Sequence, residues 1–198
     1  MHADGRARDG RVAGTYREAD GRAVQMEDAK RVWVDRARDA LVATARTYNA
    51  LIEYGELAEA VQAESGIRTK MLVHYWIGDV LGRVSRECHR RGEPLLSSLC
   101  VHKDGTVGDG YATMLRATNR GETPPDLDMH AAHERLECYR YFGATLPDGG
   151  GVPTLTPKVA AKRSRATRRR VDETPRPVCP TCHLALPATG QCDTCGDS

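Results

Sequence analysis

The sequence predicts a mainly α protein with a small β-hairpin, followed by a separate cysteine-bearing block at the C-terminus. Three observations carry this. Apolar residues recur at helical spacing between Asp28 and Phe142, an Asp-Gly pair divides two β-prone runs within residues 95–111, and two Cys-x-x-Cys pairs stand in the last twenty or so residues. The chain has 198 residues, 40% of them hydrophobic, which suits one domain of ordinary size with a tail. Lys and Arg number 29 against 27 Asp and Glu, so the formal net charge of +2 selects no partner. Its distribution says more: residues 1–156 carry a net −2, residues 157–176 a net +6 and residues 177–198 a net −2.

Residues 1–26 mix Gly5, Gly10, Gly14 and Gly21 with Arg and Asp and read as a flexible leader. From Asp28 a first helix is predicted, with Val32, Trp33, Ala37, Ala40, Leu41, Ala45 and Tyr48 at helical spacing. Leu51, Ile52 and Tyr54 form a short extended piece, and a second helix over about 55–64 buries Leu57, Ala58 and Val61 before Ser65 and Gly66 close it. A third helix is predicted over about 69–91. Val73, Ile77, Val80, Leu81, Val84 and Cys88 line one face, Arg90 and Arg91 suit its negative end, and Gly92 and Pro94 stop it. Residues 95–102 and 106–111 are read as a β-hairpin around Lys103-Asp104-Gly105. Two helices follow, over about 112–119 and 126–142, the second opening after Pro124-Pro125 and ending at Gly143. This order over residues 27–146 matches a winged helix-turn-helix-like body. Its groove-facing candidates are Arg68, Thr69, Lys70 and His74, with His102 and Lys103 at the wing and Ser65 able to hold a phosphate. The same topology also serves contacts between proteins.

Residues 147–177 read as a linker rich in Pro and Arg. Pro153, Pro157, Pro175 and Pro177 surround the run Lys162, Arg163, Arg165, Arg168, Arg169 and Arg170. That run is either a solvated linker or a sequence-independent, salt-sensitive grip on phosphates. In residues 178–198, Cys179-Pro-Thr-Cys182 and Cys192-Asp-Thr-Cys195 are nine residues apart, a spacing that can surround one ion tetrahedrally with sulfur. So short a segment cannot bury a core, so a metal would have to supply its fold. Zn2+ is the expected ion, filled by four ligands and therefore structural; a disulfide pair or an iron–sulfur site is the alternative, and His183 could replace a ligand. Over Val178–Gly196 the block resembles the zinc ribbons appended to many nucleic-acid-handling proteins.

A second resemblance lies in the body. Tyr54-Gly55-Glu56-Leu57-Ala58, Ile77-Gly78, and Asp104-Gly105-Thr106-Val107-Gly108 with Tyr111 resemble the DNA-binding domain of alkylguanine alkyltransferases and alkyltransferase-like proteins. The resemblance implies a winged-helix body that meets DNA. The family's Pro-Cys-His-Arg run is absent, the nearest stretch being Leu99-Cys100-Val101-His102, and Tyr75 stands where the family has its intercalating arginine.

Other chemistry is sparse. Cys100 and His102, two apart on a predicted strand, share a face on which a thiolate–imidazole pair is conceivable; the plainer reading makes Cys100 a buried apolar residue. His130, His133, Glu134 and Glu137 have helical ligand spacing for a metal but also suit a solvated face. No phosphate loop, dinucleotide fingerprint or serine elbow occurs. With no export signal and no membrane-spanning run, the sequence predicts a cytoplasmic, non-enzymatic DNA-binding or DNA-associated regulatory protein. The alternatives are a protein-interaction adaptor using the body and ribbon, and an alkyltransferase-like DNA repair protein.

Overall fold

A four-residue rhythm builds the central helix. In α1 (Met26–Ala45), Ala29, Trp33, Ala37, Leu41 and Ala45 are all wholly buried, one row in which small and large side chains alternate. The computed structural model describes residues 14–117, 124–173, 178–187 and 190–195, without the side chains at 117 and 170–173. Contacts divide the chain into two compact units, Met1–Val159 and Ala160–Ser198.

In the first unit, β2 (Ile52–Glu53) leads into α2 (Tyr54–Ser65) through a capping box, in which the Glu53 backbone N–H donates to the Glu56 carboxylate at 2.8 Å. Gly66, at φ 64°, ends the helix in the left-handed conformation that glycine adopts without steric cost. Leu57, Ala58 and Val61 pack into the core as the periodicity predicts. α3 (Ile77–Arg91) buries Ile77, Val80, Leu81, Val84 and Cys88 and stops at Gly92, also left-handed. Trp33 of α1 meets Trp76 with ring centroids 4.4 Å apart, and its indole N–H donates to the Ser65 hydroxyl and the Ile67 carbonyl. A stretch of 3-10 helix over Leu96–Leu99, wholly or almost wholly buried, fills the space among α1, α3 and α5 (Leu127–Tyr141). α4 (Asp109–Ala117) adds Tyr111, Met114 and Leu115 to the same core.

The protein is mainly helical with a small two-stranded antiparallel sheet, as the predicted fold class has it. The strands come from elsewhere than the hairpin predicted at 95–111. β1 (Thr15–Arg17) pairs antiparallel with β3 (Ile67–Thr69), Thr15 opposite Thr69 with their hydroxyls 3.0 Å apart. Thr15–Arg17 lies inside the stretch read as a flexible leader; its strand is formed by a partner fifty residues away that no local pattern announces. The 95–111 stretch instead gives the 3-10 turn and β4 (Cys100–Val101), which runs parallel to β2. There the Asp-Gly turn closes a tight loop in which the His102 N–H reaches the Thr106 carbonyl, and the chain enters α4 at Asp109.

The predicted third helix also starts later. Residues 67–69 are held in β3, the Thr69 N–H donating to the buried Gln62 side chain at 2.8 Å, and Val73–Tyr75 forms one 3-10 turn before α3 begins at Ile77. The tight helix–turn–helix expected at 64–67 is therefore opened by a strand and a turn. Finally, the stretch read as a basic linker contains α6 (Pro157–Glu173). Pro157 occupies the first helical position and the Thr156 hydroxyl accepts from the Val159 N–H. No helix among the described residues is long and apolar enough to cross a membrane.

Candidate metal centre and basic helix

Two knuckles of the same design bring the four C-terminal cysteines together. In the first, the Cys179 sulfur accepts from the backbone N–H groups of Cys182 and Thr181; in the second, the Cys192 sulfur accepts from those of Cys195 and Thr194, the former at 3.4 Å. A short return between them, in which the Cys179 N–H donates to the Leu184 carbonyl at 2.8 Å and Val178 bridges to Ala185, turns the knuckles toward one another. Two left-handed residues, His183 at φ 56° and Gly190 at φ 77°, take up the bends.

The sulfurs of Cys179, Cys182, Cys192 and Cys195 all lie within 4.8 Å of one another. Cys179 and Cys195 are 3.9 Å apart, Cys182 and Cys192 3.5 Å. A tetrahedron with sulfur 2.3 Å from its centre has edges of about 3.8 Å, so the two distances bracket the geometry a single Zn2+ ion requires. Several irons between the sulfurs would hold them farther apart. The four are positioned to bind one metal ion, and among the described residues no other group of His, Cys, Asp and Glu is. His183 is exposed and outside the cluster. Crowding divides the thiols electrostatically: backbone N–H groups push Cys179 down to about 6, whereas its hydrogen bond with Cys182 pushes Cys195 up to about 12. A divalent cation bound among them would allow four such thiolates to coexist.

Beyond these backbone hydrogen bonds the described residues of the segment pack little. Among its described residues only Cys179 is buried, so apolar burial cannot offset the entropy of ordering it.

Along α6, Lys162, Arg165, Arg168 and Arg169 are exposed and Arg163 is half-buried; Arg170 lies on the same helix. The body candidates are placed differently. Arg68 sits in β3 and is tied to Glu59 at 2.6 Å and Glu18 at 3.2 Å. Thr69 is spent in the sheet, its hydroxyl meeting Thr15 and the Gly14 carbonyl, and Lys70 follows in the connection to the 3-10 turn. None of the three stands on a helix that could enter a groove. His74 and Lys103 do come together, with Tyr54, His102 and Asp109, around an open cleft of about 430 Å3. Tyr54 and His102, not joined by any sequence pattern, stack there at 4.6 Å. Burial pushes the Tyr54 hydroxyl up to about 12.

The remaining candidates are occupied otherwise. Cys100 is wholly buried, and burial raises its thiol well above the ordinary range, while His102 faces the cleft and stacks on Tyr54; no thiolate–imidazole pair forms. His130 pairs with the Tyr111 hydroxyl at 3.1 Å, Glu134 accepts from the Leu95 N–H at 2.9 Å and Glu137 binds Arg140, so their helical spacing serves packing. Comparison with known protein families, curated proteins and solved structures gave no match to the chain.

Proposed function

We propose that this is a non-enzymatic DNA-binding or DNA-associated regulatory protein, in which Zn2+ held by Cys179, Cys182, Cys192 and Cys195 maintains a structural ribbon and the adjoining basic residues grip phosphates. The observation that carries this reading is the cluster of basic side chains from Lys162 to Arg169 in the same compact unit as four sulfurs spaced for one ion. Four protein ligands fill a zinc shell and leave no position for a reactive water, so the ion's part is to hold shape. The ribbon residues beyond Arg176 carry no Lys or Arg. Affinity for a polyanion therefore falls to the basic run, where each phosphate neutralised releases condensed counterions and makes binding weaken with salt. His74 and Lys103, facing one cleft of the body, are candidates for a further phosphate contact.

Electrophoretic mobility of a DNA duplex with the zinc-loaded chain across a salt series tests this. Retardation that fades as salt rises is expected, with a shallower salt dependence when Lys162, Arg163, Arg165, Arg168 and Arg169 are all changed to Gln. No retardation at the lowest salt removes the reading. A protein-interaction adaptor is the second reading, supported by Met71, Leu72 and Tyr75, which are 46%, 61% and 67% exposed in one short connection. It predicts a stable protein partner that survives nuclease treatment.

A further inference from the structure

We infer that α6 recognises the major groove of a B-form DNA duplex as a helix, rather than acting as a charged linker. The inference rests on the nucleic-acid reading above and deepens it by naming the form of the partner. At about 100° per residue, Lys162 and Arg169 lie about 40° and 60° to one side of Ala166, and Arg163 lies about 60° to the other. Ala166 thus has Lys162 and Arg169 to one side and Arg163 to the other, while Arg165 and Arg168 lie farther round on the Lys162 side. From Lys162 to Arg169 the helix rises about 10 Å, and with its side chains it is about 10–12 Å across, close to the ~12 Å width of the major groove. With Ala166 toward the groove floor, its flanking cations point at the two phosphate rims.

Other partners are poorly served by this helix. From Ala160 to Arg169 its uncharged side chains are Ala160, Ala161, Ser164, Ala166 and Thr167. None offers the apolar face that a lipid surface or a hydrophobic protein groove would bury. No aromatic residue is present for stacking on unpaired bases. The deep, narrow major groove of A-form RNA does not admit a helix. Like charges also stand three and four residues apart, as at Lys162, Arg165 and Arg169, and they oppose the helix they decorate. Phosphates along both sides relieve that repulsion, so duplex binding and helix formation reinforce one another.

The test uses the full, zinc-loaded chain with three labelled probes at about 0.1 M salt: a DNA duplex of about two turns, its single strand and an RNA duplex of equal length. Fluorescence anisotropy is expected to show the DNA duplex bound at least about tenfold more tightly than either alternative. Ala166→Pro leaves every charge in place and breaks the helix, and is expected to lower duplex affinity about tenfold, to the level of the single strand. The body's thermal transition shows that the variant remains folded. As a second readout, helical circular dichroism of the native chain rises when duplex is added. Equal affinity of Ala166→Pro for the duplex, or equal binding of all three probes, overturns the inference while leaving nucleic-acid binding intact. No binding to any probe, either at that salt or when the salt is lowered to about 0.01 M, overturns the underlying reading itself.

Discussion

Chelating the metal is expected to release four reactive thiols and leave three hidden. The structure divides the seven cysteines sharply: Cys88, Cys100 and Cys138 are wholly buried, while Cys179, Cys182, Cys192 and Cys195 surround one point in a segment with little else to hold it. A core thiol reacts only when the body opens. For a stability of about 5–15 kcal/mol the open fraction is about 10^-4 or less, so the two populations separate in time. With metal bound the four sulfurs are shared with the ion and a disulfide reagent at neutral pH meets no fast thiol. After chelation four react, because the segment that held them has lost the ion on which its fold depends. In denaturant all seven of the chain's cysteines react. Following the reagent's absorbance before chelation, after it and in denaturant gives the three counts. Fast reaction of four thiols before any chelator shows that no metal was held there. A fast fifth thiol shows that the core is not closed around Cys88, Cys100 and Cys138.

Two further predictions concern the body. Gly105→Ala is expected to cost about 2 kcal/mol or more, since Gly105 has φ +84° and an added Cβ would lie 2.4 Å from the Thr156 hydroxyl. That lowers the body's melting temperature by about 4–8 °C, and an unchanged transition would refute the close approach. Asp79 is held by Lys30 at 2.9 Å and Arg83 at 3.0 Å. Partial burial raises its pKa, but the hydrogen bonds from Lys30 and Arg83 outweigh this and hold the carboxyl below its ordinary value. The stability this adds is present above the unfolded value of about 4 and is lost as pH falls through the lower folded value. Asp79→Asn is expected to flatten that part of the melting-temperature profile, and an unaltered acid limb would show that the ion pair contributes nothing.

Local chemistry made much of this legible. The buried faces of α1, α2 and α3, the glycines at 66 and 92 and the two Cys-x-x-Cys knuckles depend on residues close in the chain, where periodicity, capping and ligand spacing act. Long-range pairing was not legible. β1 forms because Thr15 meets Thr69, and β4 because Cys100 lies beside Ile52; strands of two or three residues leave no alternating pattern to read. The same capture of residues 67–69 delays α3, although Val73 and Ile77 continue its apolar stripe backward. For α6 the signals were present and outweighed. Four prolines marked the region as linker, yet Pro157 stands at the first helical position and the next sixteen residues contain neither Pro nor Gly. The cleft at Tyr54 and His102 could be found only in three dimensions, since it joins the start of α2 to the end of β4.

Native mass spectrometry of freshly prepared, reduced full-length chain addresses the metal centre most directly. One zinc ion per chain, retained under native conditions and lost on acidification, is the predicted result. A metal-free chain whose residues 178–195 nevertheless keep their fold would contradict the account.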